Sequence, residues 1–164
     1  MPATAARLEL DAAINNKWIE FWYQPKIALR KKQLAGAEAY ARVRHPQHGL
    51  VLAGAFKAGA PEASTARLAE LALDSALKTG AHFSKVNLRL SVNIPVPALV
   101  KIPVVDIVQK HHSGDEKWPG LINDVPEDQI VSDLALAGDL KKKLDLTMCG
   151  SRFTISAARP KTCP

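Results

Sequence analysis

An α/β fold built on a parallel sheet is the class this sequence predicts, and three observations predict it. Stretches with two-residue alternation trade places along the chain with stretches of helical spacing. Polar side chains sit inside or at the ends of the alternating stretches, and the last two lie toward the carboxyl end, where βα architectures open their sites. The composition, 47% hydrophobic and 23% charged over 164 residues, is that of one packed domain.

The first element, from Ala5 to Asn16, reads as a short helix, with Leu8, Ala12 and Ile14 available for one face. WIEFWYQPKIAL has the aromatic content of a strand, broken or bent at Pro25. From Leu34 to Arg44 the alternation is clean. Ala37, Ala39, Ala41 and Val43 fall on one side, and Glu38, Tyr40, Arg42 and Arg44 on the other. RHPQHGLVLAGAF reads as a loop punctuated by Pro46 and Gly49. A helix is predicted from Thr65 to Lys78, capped by Ser64 or Thr65 and ended by Gly80. The next strand runs from Leu88 to Ile94, with Leu88, Leu90, Val92 and Ile94 on one side and Arg89, Ser91 and Asn93 on the other. A second helix covers Val104 to Lys110, the polar HHSGDEKWPG is a loop, and Leu121 to Val125 is a short strand. Glu127 to about Leu144 is a third helix, with Gly138 a weak point inside it. From Thr147 onward no period is sustained, and an irregular tail is expected. These units are too few for a closed barrel, which needs eight strands and roughly 250 residues.

Composition narrows the function classes. Lys and Arg outnumber Asp and Glu by 22 to 16, a formal charge of +6 that favours anionic ligands. The excess is dispersed, partly in Arg30-Lys31-Lys32 and Lys141-Lys142-Lys143, without interleaved aromatics, so a nucleic-acid polymer is not an expected partner. Cys149 and Cys163 have no metal-ligand spacing, and two free thiols fit a reducing cytoplasm. The opening residues show no signal peptide, and no apolar run approaches the roughly 18 residues of a membrane span.

Glu38, Asn93 and Asp124 carry the chemistry. In a parallel sheet both faces are buried, so a polar residue inside a strand needs a reason. Three oxygen donors from three strands suit Mg²⁺ or Mn²⁺ better than zinc, against the alternative that each is separately satisfied by backbone or water. His45, His48, His111 and His112 fall in loops and are not expected ligands. No nucleophile elbow, Walker loop or dinucleotide fingerprint occurs.

Several ordered motifs carry a resemblance. YQPKIALRKKQLAGAEAYARVRHPQHGLV is similar to the opening of EAL domains, which run Tyr-Gln-Pro-Lys, a turn, Gly-Ala-Glu-Ala-Leu-x-Arg and Arg-His-Pro-x-x-Gly. LRLSVNIP resembles the family's Val-Asn-hydrophobic-Ser strand, and LINDVPEDQIV its Leu-Glu-hydrophobic-Thr-Glu strand. The likeness covers roughly residues 8 to 146. It implies a (β/α)8 TIM-like barrel whose first strand runs antiparallel to the rest, here partial, with about half the strands and an open edge after the 121–125 strand. It implies a division into an N-terminal helix or linker (1–16), a partial EAL domain (17–146) and an irregular tail (147–164) that is either out of frame or a natural variable terminus. It also implies association through the open edge.

Family members hydrolyse cyclic di-GMP with two divalent metals. By the resemblance, Glu38, Asn93 and Asp124 occupy metal-binding positions for Mg²⁺ or Mn²⁺, and Gln24 and Arg42 match positions that contact the dinucleotide. Three residues depart from the pattern: Tyr40 for Leu, Asp124 for the commoner Glu, and Pro126 for Thr. The family's later Asp-Asp-Phe-Gly strand, its Lys and its late Glu have no counterpart in KKKLDLTMCGSRF or in the eleven residues after it, TISAARPKTCP. The expectation is therefore a truncated, catalytically inactive phosphodiesterase domain. A degenerate module that binds cyclic di-GMP or another signalling protein, and a non-functional product, stand as alternatives.

Overall fold

The computed structural model describes residues 8–83, 88–111, 120–126, 135–136, 138–139, 142 and 153–158. Helix α1 (Leu10–Asn15) is followed by β1 (Ile19–Ala28), β2 (Gln33–His45) and β3 (Gly49–Leu52). Then come α2 (Ala53–Lys57), α3 (Glu62–Phe83), β4 (Arg89–Val92), α4 (Val96–Lys101), α5 (Val104–His111), β5 (Leu121–Pro126) and β6 (Phe153–Ala158). One sheet has the order β1-β2-β4-β5-β6, with β3 also paired to β2. Strands β2, β4, β5 and β6 run parallel, whereas β1 pairs antiparallel with β2. The expected α/β class and antiparallel first strand are present.

Alternation in the strands separates two faces. Ala39, Leu90, Val92, Ile94 and Leu121 form one apolar cluster with Leu73, Ala76 and Leu77 of α3, Leu99 of α4 and Ile107 and Val108 of α5. Nearer the amino terminus, Ala41 and Val43 pack with Leu10 and Ala13 of α1, Phe56 of α2 and Leu68 of α3. The short alanines of β2 let the helices lie close to the sheet. Tyr23 belongs to this outer face: its hydroxyl donates to Thr79 Oγ1 of α3 at 2.8 Å. Gly36 lies opposite Arg89 in the β2–β4 register, and a Cβ there would run into the Arg89 carbonyl oxygen. A glycine is what lets these two strands start their pairing.

Several expectations need correction. Pro25 does not break β1; it sits in register with Ala37, and the irregularity comes one residue later, between Lys26 and Ile27. As a member of an edge strand, Pro25 needs no ladder donor. The segment 44–56 is not a plain loop but holds β3 and α2, both too short to show a period. Gly80 does not end α3, which runs to Phe83. One glycine costs a helix about 1 kcal/mol, less than the packing of Leu73, Ala76 and Leu77 returns. Nor do Ser64 and Thr65 cap it, because the helix starts at Glu62; Ser64 Oγ instead donates to Asp11 of α1 at 2.8 Å. Helix α4 has no counterpart among the expected elements.

The largest correction concerns the tail. Phe153–Ala158 is a strand, paired in parallel with β5 from Leu121↔Phe153 to Pro126↔Ala158. The sheet therefore does not have its open edge after 121–125. Phe-Thr-Ile-Ser-Ala-Ala alternates, but Gly150 and Pro160 beside it mask the signal. Of the helix expected over 127–144, residues 135, 136, 138, 139 and 142 are helical; the remainder falls outside the described residues. No helix among the described residues is long and apolar enough to cross a membrane.

Candidate ligand site on the inner sheet face

The face turned away from the helices is polar. Residues directly opposite in an antiparallel ladder, or level in a parallel one, project to the same side. Register places Gln24 opposite Glu38, Glu38 level with Ser91, and Ser91 level with Ile122. Trp22 lies opposite Tyr40 and Glu20 opposite Arg42. One side of the β1–β2 pair thus carries Glu20, Trp22, Gln24 and Lys26 beside Glu38, Tyr40, Arg42 and Arg44.

The three predicted ligand residues converge here. Asn93, one residue past β4, donates its carboxamide N–H to Glu38 Oε1 at 2.7 Å. Asp124 reaches the same centre through Lys26, whose ammonium lies 2.8 Å from Asp124 Oδ2 and 3.4 Å from Glu38 Oε2. The ammonium also donates to Ser91 Oγ at 2.7 Å. Partial burial works against the charge on Lys26, but the hydrogen bond and charge of Asp124, followed by those of Glu38, outweigh it. They hold the ammonium above its ordinary value of 10.5. Lys26 is therefore charged throughout the physiological range.

Sequence reasoning missed Lys26 as a member of this cluster. The available signal was its place two residues after Gln24, which puts it on the same face of β1. It also missed Asn123, which is fully buried on the outer face. The Asn123 carboxamide donates to the Ile94 carbonyl and accepts from the Ile94 N–H, both at 2.9 Å. That pair of bonds continues the β4–β5 ladder beyond Val92 and fixes the backbone next to Asn93. Buried polar groups need such partners, which is why an Asn can stand at a core position.

Gln24 and Arg42 flank the cluster. Arg42 carries its guanidinium carbon 5.6 Å from the centroid of the Tyr40 ring. Arg44, two residues on, binds Glu20, with Nη2 to Oε2 at 3.0 Å, and Glu20 also accepts the Trp22 indole N–H at 3.1 Å. The Arg44 hydrogen bond, with a smaller share from Trp22, holds the Glu20 carboxyl below its usual value. Among the described residues, no three His, Cys, Asp or Glu side chains gather as a cation cage.

The family model of the EAL domain matches residues 7–140. No curated protein matches the sequence. Among solved structures, the chain is similar to the PaMucR phosphodiesterase in complex with c-di-GMP, at TM-score 0.70 and 23% identity over 89% of this chain and 60% of that one. The FimX EAL domain from Pseudomonas aeruginosa bound to c-di-GMP gives TM-score 0.64 and 21% identity over 90% and 60%. Klebsiella pneumoniae BlrP1, in a manganese and cy-diGMP complex, gives TM-score 0.60 and 19% identity over 84% and 34%. At these identities the likeness is one of fold. The chain spans about 60% of the PaMucR and FimX chains.

Proposed function

The chain belongs to the EAL-domain family, and from that premise we propose that it binds cyclic di-GMP without hydrolysing it. The observation that carries this reading is β6, which runs beside Asp124 without an acidic residue, while the Lys26 ammonium bridges Asp124 and Glu38. Two-metal phosphodiester hydrolysis needs a cation to acidify the attacking water and a second to take up charge on the departing oxygen. The cluster supplies two carboxylates, and one internal cation already answers them both. With these two carboxylates answered by Lys26 and no further acid on β6, the donor set does not fit a pair of divalent ions.

The neighbouring strand adds no charge to it. Strand β6 brings Ser156 level with Asp124, and its last three residues are Ser156, Ala157 and Ala158. The resemblance leads one to expect paired aspartates on a strand after the third helix; β6 has no acidic residue. Asp124 is one methylene shorter than the commoner Glu, and its carboxylate contacts Lys26.

Binding asks less of the site than hydrolysis does. Arg42 offers a guanidinium to a phosphodiester, and Gln24 offers a carboxamide to a base edge. Neither contact requires a reaction. The FimX EAL domain and PaMucR are both described with c-di-GMP bound, which supports the ligand class.

The test pairs two measurements. Calorimetric titration with cyclic di-GMP, in Mg²⁺, in Mn²⁺ and in chelator, is expected to give the same affinity in all three. Chromatography for the linear dinucleotide is expected to give no more product than a Glu38→Ala control. Turnover well above that control, or an absence of binding, overturns the reading.

A further inference from the structure

We infer that Trp22 and Tyr40 form an aromatic platform for a purine base, beside the Arg42 already read as the phosphate contact. The inference rests on the reading of this face as a nucleotide site and names the residues that select the base.

Three observations carry it. The β1–β2 register puts Trp22 and Tyr40 directly opposite, so their side chains rise from the same face as neighbours. Trp22 remains 46% exposed although it is the largest apolar side chain of β1. It is nevertheless tethered, because the indole N–H donates to Glu20 Oε2 at 3.1 Å and Glu20 pairs with Arg44. An aromatic ring that is tethered at its edge loses little freedom when a base stacks on it. Lastly, the Arg42 guanidinium carbon lies over the Tyr40 ring, 5.6 Å from its centroid, which places a cation on the Tyr40 side of the pair.

The arrangement matches the parts of a purine nucleotide. A base on Trp22 and Tyr40 lies about 7 Å along the strand from the Gln24–Glu38 level, the spacing of two residues. Gln24, Glu38 and Asn93 then face its hydrogen-bonding edge, and Arg42 lies toward the phosphate. A cross-strand aromatic pair can also serve only to stabilise a hairpin. The tethered, exposed indole favours a ligand, since a purely structural pair gains most by covering both rings. Tyr40 stands where the family motif has Leu, so the platform is a property of this chain rather than of the motif.

The experiment measures affinity for cyclic di-GMP, cyclic di-AMP and GMP by calorimetry, and follows tryptophan fluorescence in the same titrations. Stacking on an aromatic ring typically contributes ~1–3 kcal/mol per base, so Trp22→Leu and Tyr40→Leu are each expected to weaken binding by roughly 5-fold to 100-fold. Tyr40→Phe, which keeps the ring, is expected to lose less affinity than Tyr40→Leu. Ligand-induced quenching should survive Trp18→Phe and vanish in Trp22→Phe. If wild type binds cyclic di-GMP and both Leu variants bind equally well while melting normally, the platform is wrong and the functional reading stands. If wild type ignores cyclic di-GMP but binds GMP through Trp22, the platform stands and the functional reading falls. Absence of any purine binding overturns both.

Discussion

The two faces of the sheet are made by the same strands and differ in almost every physical respect. On the outer face, Val43, Leu90 and Val92 are closed off by helices and grouped into continuous apolar clusters. On the inner face, Glu38, Lys26, Ser91 and Asp124 hold one another by charge and hydrogen bonds, and Trp22 stays half exposed. The alternation of one strand, β2, serves both: Ala39, Ala41 and Val43 are buried in the clusters, whereas Glu38, Tyr40 and Arg42 line the candidate site. The contrast teaches that stability and recognition are separated here by a single residue step, so substitutions one position apart should have different consequences.

The sharpest way to break that separation is from the outer face. Leu73 of α3 is fully buried in the main cluster, and Leu73→Ala should cost about 3 kcal/mol by lost transfer energy and the cavity left behind. Urea unfolding followed by circular dichroism measures it. A loss below about 1 kcal/mol would mean that the cluster is loosely packed and that the two faces are not so different.

Asn123 is a fully buried polar residue of the outer face, held by hydrogen bonds as the inner ones are. Asn123→Leu keeps the volume but leaves the Ile94 N–H and carbonyl without their partner. We expect a loss of about 2 kcal/mol, the cost of buried unsatisfied backbone groups. Faster amide exchange at Ile94 should accompany it, and unchanged exchange there would argue that the bridge is not formed.

Lys26→Met tests the inner face. The side chain is partly exposed, so stability should change by about 1 kcal/mol or less. The larger effect is electrostatic: Glu38 and Asp124 lose their shared cation. Mn²⁺ titration followed by electron paramagnetic resonance should detect no site in wild type and a new one in the variant. A site of equal affinity in both proteins would show that Lys26 does not compete with a metal.

The smallest effect is expected at the margin of the outer layer, where Asp74 of α3 meets His111 at 2.7 Å and Lys110 at 3.0 Å on α5. The His111 hydrogen bond, and after it that of Lys110, lower the Asp74 carboxyl below its ordinary 3.8. A depressed carboxyl contributes stability that is present above its unfolded value and lost as pH falls through the folded one. Asp74→Asn should therefore cost about 0.5 kcal/mol at about pH 6, and the difference from wild type should fade as pH is taken well below 3.8. A difference that persists there would assign the effect to packing.

Much of this was legible in the linear sequence. Alternation in Leu34–Arg44 and Leu88–Ile94 marked the strands and both of their faces, and helical spacing marked α3 and α5. Glu38, Asn93 and Asp124 were identifiable as polar residues in strands, and the structure does gather them. The short elements β3, α2 and α4 were not legible, because four to six residues do not establish a period. Strand β6 was not recognised either: six alternating residues flanked by glycine and proline look like a loop until a neighbouring strand supplies the hydrogen bonds.

The sequence by itself therefore determined which residues lie on which face, since that follows from a backbone that turns each side chain half a revolution from the last. Only the tertiary structure decided which charges meet. Lys26 lies 98 positions from Asp124 and 65 from Ser91, and no local pattern links them. They come together because β1 runs antiparallel beside β2, and β4 and β5 then stack in parallel next to it, which brings the reach of one lysine across three strands.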